Sequence, residues 1–170
     1  MAQTLAWYQK KDLKIAEKSL YGFARWILIG LCLFDISLGG QALFLQNRYI
    51  DMIHPHFQEL HVQGPTYWLS RIGMLWFFFA IVEGLAALNP RRYIMLVYLT
   101  GMLRLMDVPA DLVYCYLSDD LGHFGIFALL FSPAFNLISG LYLIHCAKRA
   151  IRAGLASYRN ANSLTNEAES

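Results

Sequence analysis

Charged side chains are scarce in this sequence of 170 residues. They make up 15% of the chain, whereas an ordinary soluble domain has about a quarter. Hydrophobic residues make up 57%, more than a soluble domain of this length needs to fill its single core. The composition therefore argues against an ordinary soluble domain and predicts a membrane protein.

Motifs for catalysis and cofactor binding are also missing. The sequence contains no phosphate-binding loop, no nucleophile elbow and no HExxH pair. Its cysteines, Cys32, Cys115 and Cys146, form no CxxC pair, which argues against a thiol–disulfide enzyme. His123 and His145 lie at opposite ends of one apolar segment, and the other long apolar segments hold no histidine. A membrane haem with two histidine ligands is therefore not expected, and no pattern supports nucleic-acid binding.

Four apolar segments are long enough to cross a bilayer, which takes about 20 residues. They run over about 26–45, 67–88, 93–117 and 123–146. Helices are expected, because hydrocarbon offers no hydrogen-bond partner to an open backbone. The short turns between the second and third segments and between the third and fourth make neighbouring helices antiparallel. We predict an all-α integral membrane protein, an up-down four-helix bundle.

Basic residues lie mainly on one side of these segments. They are Lys10, Lys11, Lys14, Lys18 and Arg25 before the first segment, Arg91 and Arg92 before the third, and Lys148, Arg149, Arg152 and Arg159 after the fourth. The opposite side has Arg48 in a long loop and two aspartates in a short turn. Because cytoplasmic loops carry an excess of Lys and Arg, we predict that the N- and C-termini are cytoplasmic.

The sequence divides into three parts around the predicted bundle. Residues 1–25 alternate lysines with apolar residues and are predicted to form an interfacial helix at an anionic leaflet. Residues 26–147 form the bundle, with an outer loop over 46–66. Residues 148–170 are basic at first and then small and polar, so we expect the end of this tail to be disordered.

Six Asp, Glu and Arg residues fall inside the predicted spans and are the candidate ligand-binding residues: Asp35, Arg71, Glu83, Arg104, Asp107 and Asp111. A charge at the bilayer centre is costly, so we expect these groups to face one another in the bundle interior. With a rise of about 1.5 Å per residue, depth pairs Asp35 with Arg104, and Arg71 with Asp111. Asp107 and Glu83 remain, and Glu83 has the basic residues of the cytoplasmic end as alternative partners.

Three interpretations of these charges stay open. They can be structural ion pairs that fix the register of the helices. They can form a polar pocket in which Arg104 binds an anionic or carbonyl-bearing ligand, such as a lipid or a quinone, while the carboxylates relay protons. They can also dock onto another membrane subunit. We expect the first of these.

The outer loop concentrates groups that ligate metals. His54, His56, Glu59 and His61 lie within eight residues, and imidazole and carboxylate suit zinc or copper. A metal needs three or four converging ligands, however, and this spacing matches no standard motif. We expect a polar interfacial loop, with a copper or zinc site and a partner contact as alternatives.

Residues 83–114, EGLAALNPRRYIMLVYLTGMLRLMDVPADLVY, combine features that occur together elsewhere. They are a Gly-rich second span with Gly84, the turn Asn89-Pro90-Arg91, and a third span with Arg104 and Asp107 near its outer end. In this layout the chain resembles small four-helix bacterial membrane proteins of the BphX-like and DoxX-like kind. The resemblance implies a bacterial inner-membrane protein, in some cases encoded near aromatic-degradation or redox genes.

These observations favour a non-catalytic subunit or scaffold of a larger membrane assembly. Its expected partners are membrane lipids and either other membrane subunits or further copies of the same chain. The alternative is a bundle that binds, transports or converts a small molecule through Arg104, Asp107 and Asp111.

Overall fold

The computed structural model describes residues 2–53, 64–118 and 121–168, and every secondary-structure element in these ranges is an α-helix. The helices are α1 (Ala2–Phe44), α2 (Gln46–Ile53), α3 (Gly64–Leu88), α4 (Ile94–Leu117) and α5 (His123–Ala168). The prediction of an all-α protein is therefore confirmed for the described part of the chain.

Three stretches of these helices are long and apolar enough to cross a membrane. They are Ser19–Phe44 in α1, Leu69–Leu88 in α3 and Gly125–Ala153 in α5, and they correspond to the first, second and fourth predicted spans. The third predicted span lies in α4, whose 24 residues extend about 36 Å along the helix axis. That length matches the others, but Arg104, Asp107 and Asp111 make α4 less apolar.

The first and last helices are longer than the predicted spans. Helix α1 runs without a break for 43 residues from Ala2, so the segment 1–25 and the first span form one helix. Helix α5 continues beyond the fourth predicted span as far as Ala168. A helix that has already formed gains one hydrogen bond with each residue added, and the Ala, Lys, Arg and Leu residues that follow the fourth span favour this extension.

The long helices associate in two pairs. Helix α1 packs along α3, and α4 packs along α5, whereas contacts between the two pairs are sparser. Near the turn that joins α3 to α4, all four long helices contribute to an apolar core: Ala24, Leu28, Leu31, Ala86, Ala87, Val97, Leu143, Cys146 and Ala147. At the same end the Tyr142 hydroxyl donates to the carbonyl of Leu20 at 3.2 Å, which ties α5 to α1.

The turn between α3 and α4 is held by Asn89. Its side-chain Oδ1 accepts a hydrogen bond from the backbone N–H of Arg92 at 3.1 Å, and its carbonyl accepts one from Tyr93 at 3.0 Å. An Asn that bonds to the backbone a few residues ahead mimics a backbone turn. The sequence Asn-Pro-Arg-Arg therefore reverses the chain within five residues, which makes α3 and α4 antiparallel neighbours.

Glycines allow the closest approaches within each pair. A Cβ atom on Gly101 of α4 would lie 2.9 Å from the carbonyl oxygen of Gly140 on α5, and the reverse distance is also 2.9 Å. Gly39 of α1 and Gly73 of α3 meet in the same way, at 3.0 and 3.2 Å. Small residues at such crossings matter in hydrocarbon, because helices there associate through close packing rather than through the hydrophobic effect.

Replacing Gly101 with alanine should lower the stability of the protein, because the added methyl group must push α4 away from backbone atoms of α5. Overpacking of this kind costs about 1–3 kcal/mol. Unfolding in mixed detergent–SDS micelles, followed by circular dichroism, measures the loss. Gly30→Ala is the matched control, since a Cβ atom there meets nothing within 4 Å. This control should gain about 0.5–1 kcal/mol from the lower flexibility of alanine. Equal effects of the two substitutions would contradict the close crossing.

Candidate functional site

A buried guanidinium lies at the centre of the molecule. Arg104 of α4 is 4% exposed, and two carboxylates that are at most 2% exposed surround it. Its Nη2 donates to Oδ2 of Asp35 on α1 and to Oε1 of Glu83 on α3, at 2.5 Å in each case. Its Nε donates to the same oxygen of Glu83 at 3.2 Å. One side chain thus joins three helices, and we refer to Asp35, Glu83 and Arg104 as the central cluster.

Helix geometry explains why Glu83 reaches Arg104. Counted from the turn between α3 and α4, Arg104 lies about 7.5 Å farther along the axis than Glu83. Side chains lean toward the N-terminus of their own helix. Because α3 and α4 are antiparallel, the two side chains lean toward each other, and their combined length closes this offset.

The central cluster has more acceptors than donors. Two carboxylates share one guanidinium, and Oδ1 of Asp35 and Oε2 of Glu83 are buried with no hydrogen-bond partner among the described groups. The same holds for the hydroxyl of Thr100, one turn before Arg104. A cavity of about 10 Å³ is lined by Thr100, Glu83, Arg104 and Asp107. This volume is enough for about one water molecule, which could satisfy such groups.

Asp107 and Asp111 continue the polar line toward the end of α4. Oδ2 of Asp107 lies 3.6 Å from Nη1 of Arg104, and its side chain is 41% exposed. Asp111 turns toward α5, where the Ser132 hydroxyl donates to its Oδ2 at 2.6 Å. The amide Nδ2 of Asn136 in turn donates to Ser132 at 3.1 Å. Polar contacts therefore run from the central cluster outward along α4 and end on α5.

The structure brings together four of the six predicted site residues. Asp35 and Arg104 are in contact, as their depth predicted. Glu83 also contacts Arg104, whereas the prediction paired it with no residue of the spans and gave basic residues at the helix ends as alternatives. Asp107 completes the group. Arg71 is exposed on α3, and its pairing with Asp111 stays a prediction.

The predicted metal ligands His54, His56, Glu59 and His61 lie outside the described residues. Within the ranges that the structure does describe, no group of three or more His, Cys, Asp or Glu side chains is arranged to hold a metal ion.

Four polar residues of this region were not predicted as site residues, and three of them lie on α5. Ser132, Asn136 and Ser139 lie on one face of α5 at spacings of four and three residues, together with Gly140. This helical periodicity was a signal for a polar face toward another helix. Thr100 lies four residues before Arg104 and hence on the same face of α4. Because all four side chains are uncharged, a search for ionisable groups passes over them.

Comparison with known proteins adds no relative. No family model, no curated protein and no solved structure matches the chain. The function must therefore be inferred from the central cluster and from the surfaces around it.

Replacing Arg104 with methionine should destabilise the protein strongly, because two buried carboxylates then lose their counter-charge. Removal of one partner from a buried ion pair costs about 3–5 kcal/mol. Asp35→Asn and Glu83→Gln should each cost less, since Arg104 keeps a second carboxylate. The free energy of unfolding in mixed micelles distinguishes these cases.

Arg48→Gln serves as the control, because this arginine is exposed on α2. Surface substitutions of that kind stay within about 0.5 kcal/mol. If Arg104→Met proved as stable as Arg48→Gln, the central cluster would not be needed for the stability of the fold.

Proposed function

We propose that the chain is a multi-pass protein of a bacterial inner membrane and that its four long helices form an up-down bundle with cytoplasmic termini. The three apolar stretches of α1, α3 and α5 support a membrane location. The excess of basic residues early in α1, between α3 and α4, and late in α5 supports the orientation. The proposed location also agrees with the resemblance to BphX-like and DoxX-like proteins.

The surface of α4 supports its inclusion as the fourth span. Exposed residues on this helix include Met95, Leu99, Met102, Met106 and Leu112, all of which suit lipid. The most costly charge, that of Arg104, is turned inward and paired. A helix of this kind crosses hydrocarbon with an apolar exterior, although its average composition is more polar than that of the other three.

We further propose that the bundle is a non-catalytic subunit or scaffold within a larger membrane assembly. The observation that carries this proposal is that one guanidinium joins α1, α3 and α4 at 2.5 Å contacts. Among the described residues, the cavity that borders Arg104 has a volume of about 10 Å³, which accepts a water molecule but no lipid or quinone headgroup. The cluster therefore favours a structural role over ligand binding by Arg104, Asp107 and Asp111.

Cysteine labelling in intact cells tests the topology, and α4 in particular. In a variant without the three native cysteines, Ser118→Cys should react with a membrane-impermeant maleimide from outside. Asn89→Cys, in the α3–α4 turn and hence at the other end of α4, should react only after the cells are lysed. Reaction of both positions from the same side would show that α4 does not cross, and would overturn the four-span topology.

The oligomeric state tests the role as a subunit. After extraction in a mild detergent, native mass spectrometry should detect the chain in a stoichiometric complex with another membrane protein or with further copies of itself. A single chain with no protein partner would contradict the proposal. If that chain also carried a small molecule, its release by Arg104→Lys but not by Arg48→Lys would support the alternative site.

A further inference from the structure

A second cavity lies apart from the central cluster, between α1 and α3 near their basic end. Its volume is about 160 Å³, close to that of an engineered protein cavity of about 150 Å³ that accommodates benzene. Apart from Arg25, the residues that line it are Ile29, Cys32, Leu33, Gly84, Ala87 and Leu88. We refer to this cavity as the α1–α3 crevice.

Small residues on α3 create the crevice. Gly84 faces Cys32 of α1, and a Cβ atom on this glycine would lie 3.5 Å from the cysteine sulfur, an ordinary contact distance. Leu33 and Leu88 flank this gap and are exposed on the outer surface of the helices. The crevice therefore opens toward the surroundings of the molecule, and its walls are apolar.

Arg25 places a positive charge at one end of this apolar space. It lies two turns before Leu33, a distance of about 12 Å along α1, and its side chain is exposed. Among the described side chains, none forms an ion pair with it. The neighbouring Trp26 is 70% exposed, and exposed tryptophans are typical of the headgroup level of a membrane.

We propose that the α1–α3 crevice binds one acyl chain of an anionic phospholipid whose phosphate pairs with Arg25. The guanidinium supplies a fork of donors that matches phosphate oxygens, and the apolar walls receive the first part of the chain. A neutral quinone would leave Arg25 unpaired, and a helix of about 10 Å diameter is too wide for the space. The inference rests on the proposed membrane location, because the lipid reaches the crevice from the surrounding leaflet.

Retention of lipid by the full chain tests this site. The protein is purified, incubated with equimolar phosphatidylglycerol and phosphatidylcholine, and examined by native mass spectrometry. Phosphatidylglycerol should be retained at one copy per chain in preference to phosphatidylcholine. Arg25→Gln should weaken this retention by roughly tenfold or more, as expected for the loss of a charge-assisted hydrogen bond. Arg48→Gln, an exposed arginine remote from the crevice, should have no effect.

The acyl chain is tested separately by filling the crevice. Gly84→Leu should remove the bound lipid, while Gly30→Leu, at a glycine with open space around it, should retain it.

Glycerol phosphate should compete poorly for the site, because it has no acyl chain. Equal competition would identify a phosphate site and overturn the lipid assignment. Unchanged retention in Arg25→Gln would overturn it as well, and that variant alters only an exposed side chain. Extraction of the chain from membranes by carbonate would instead contradict the proposed membrane location itself.

Discussion

The contact between Arg104 and its two carboxylates constrains the whole arrangement. Contacts of 2.5 Å to Asp35 and Glu83 hold only when α1, α3 and α4 lie at one relative depth. A slide of one helical turn, about 5.4 Å, would leave a buried charge without its partner, which is costly. The ion pairs therefore select one register among those that the apolar surfaces alone would allow.

Two kinds of contact fix the relative positions of the helices. Glycine crossings bring the helices together within each pair, at Gly39 and Gly73 for α1 with α3, and at Gly101 and Gly140 for α4 with α5. Contacts between the pairs are sparser, and it is here that Arg104 extends from α4 to both helices of the other pair. Close packing thus makes the pairs, and the central cluster determines how one pair meets the other.

The sequence predicted most of the helices and part of the cluster. Long apolar runs identify α1, α3 and α5, because hydropathy depends on composition alone, and equal depth was enough to pair Asp35 with Arg104. Depth along the helix axes placed Glu83 too far from Arg104, because backbone positions alone do not include the direction in which long side chains lean. The partners of Asp111 were missed for another reason. Ser132 and Asn136 carry no charge, and their importance depends on which face of α5 meets α4, a tertiary fact that single-helix periodicity only suggests.

The balance of charge in the central cluster argues for specificity rather than for stability. A buried ion pair recovers its desolvation cost only when its remaining acceptors are also satisfied, and an apolar replacement of the whole group is often no less stable. Here Asp35 and Glu83 each keep an oxygen without a partner, so the cluster is a poor source of net stabilisation. Loss of only part of the central cluster is costly, because an isolated charge then remains in the protein interior. A sequence with such a cluster is committed to one arrangement of its helices, and a fixed arrangement is what the proposed role as a subunit requires.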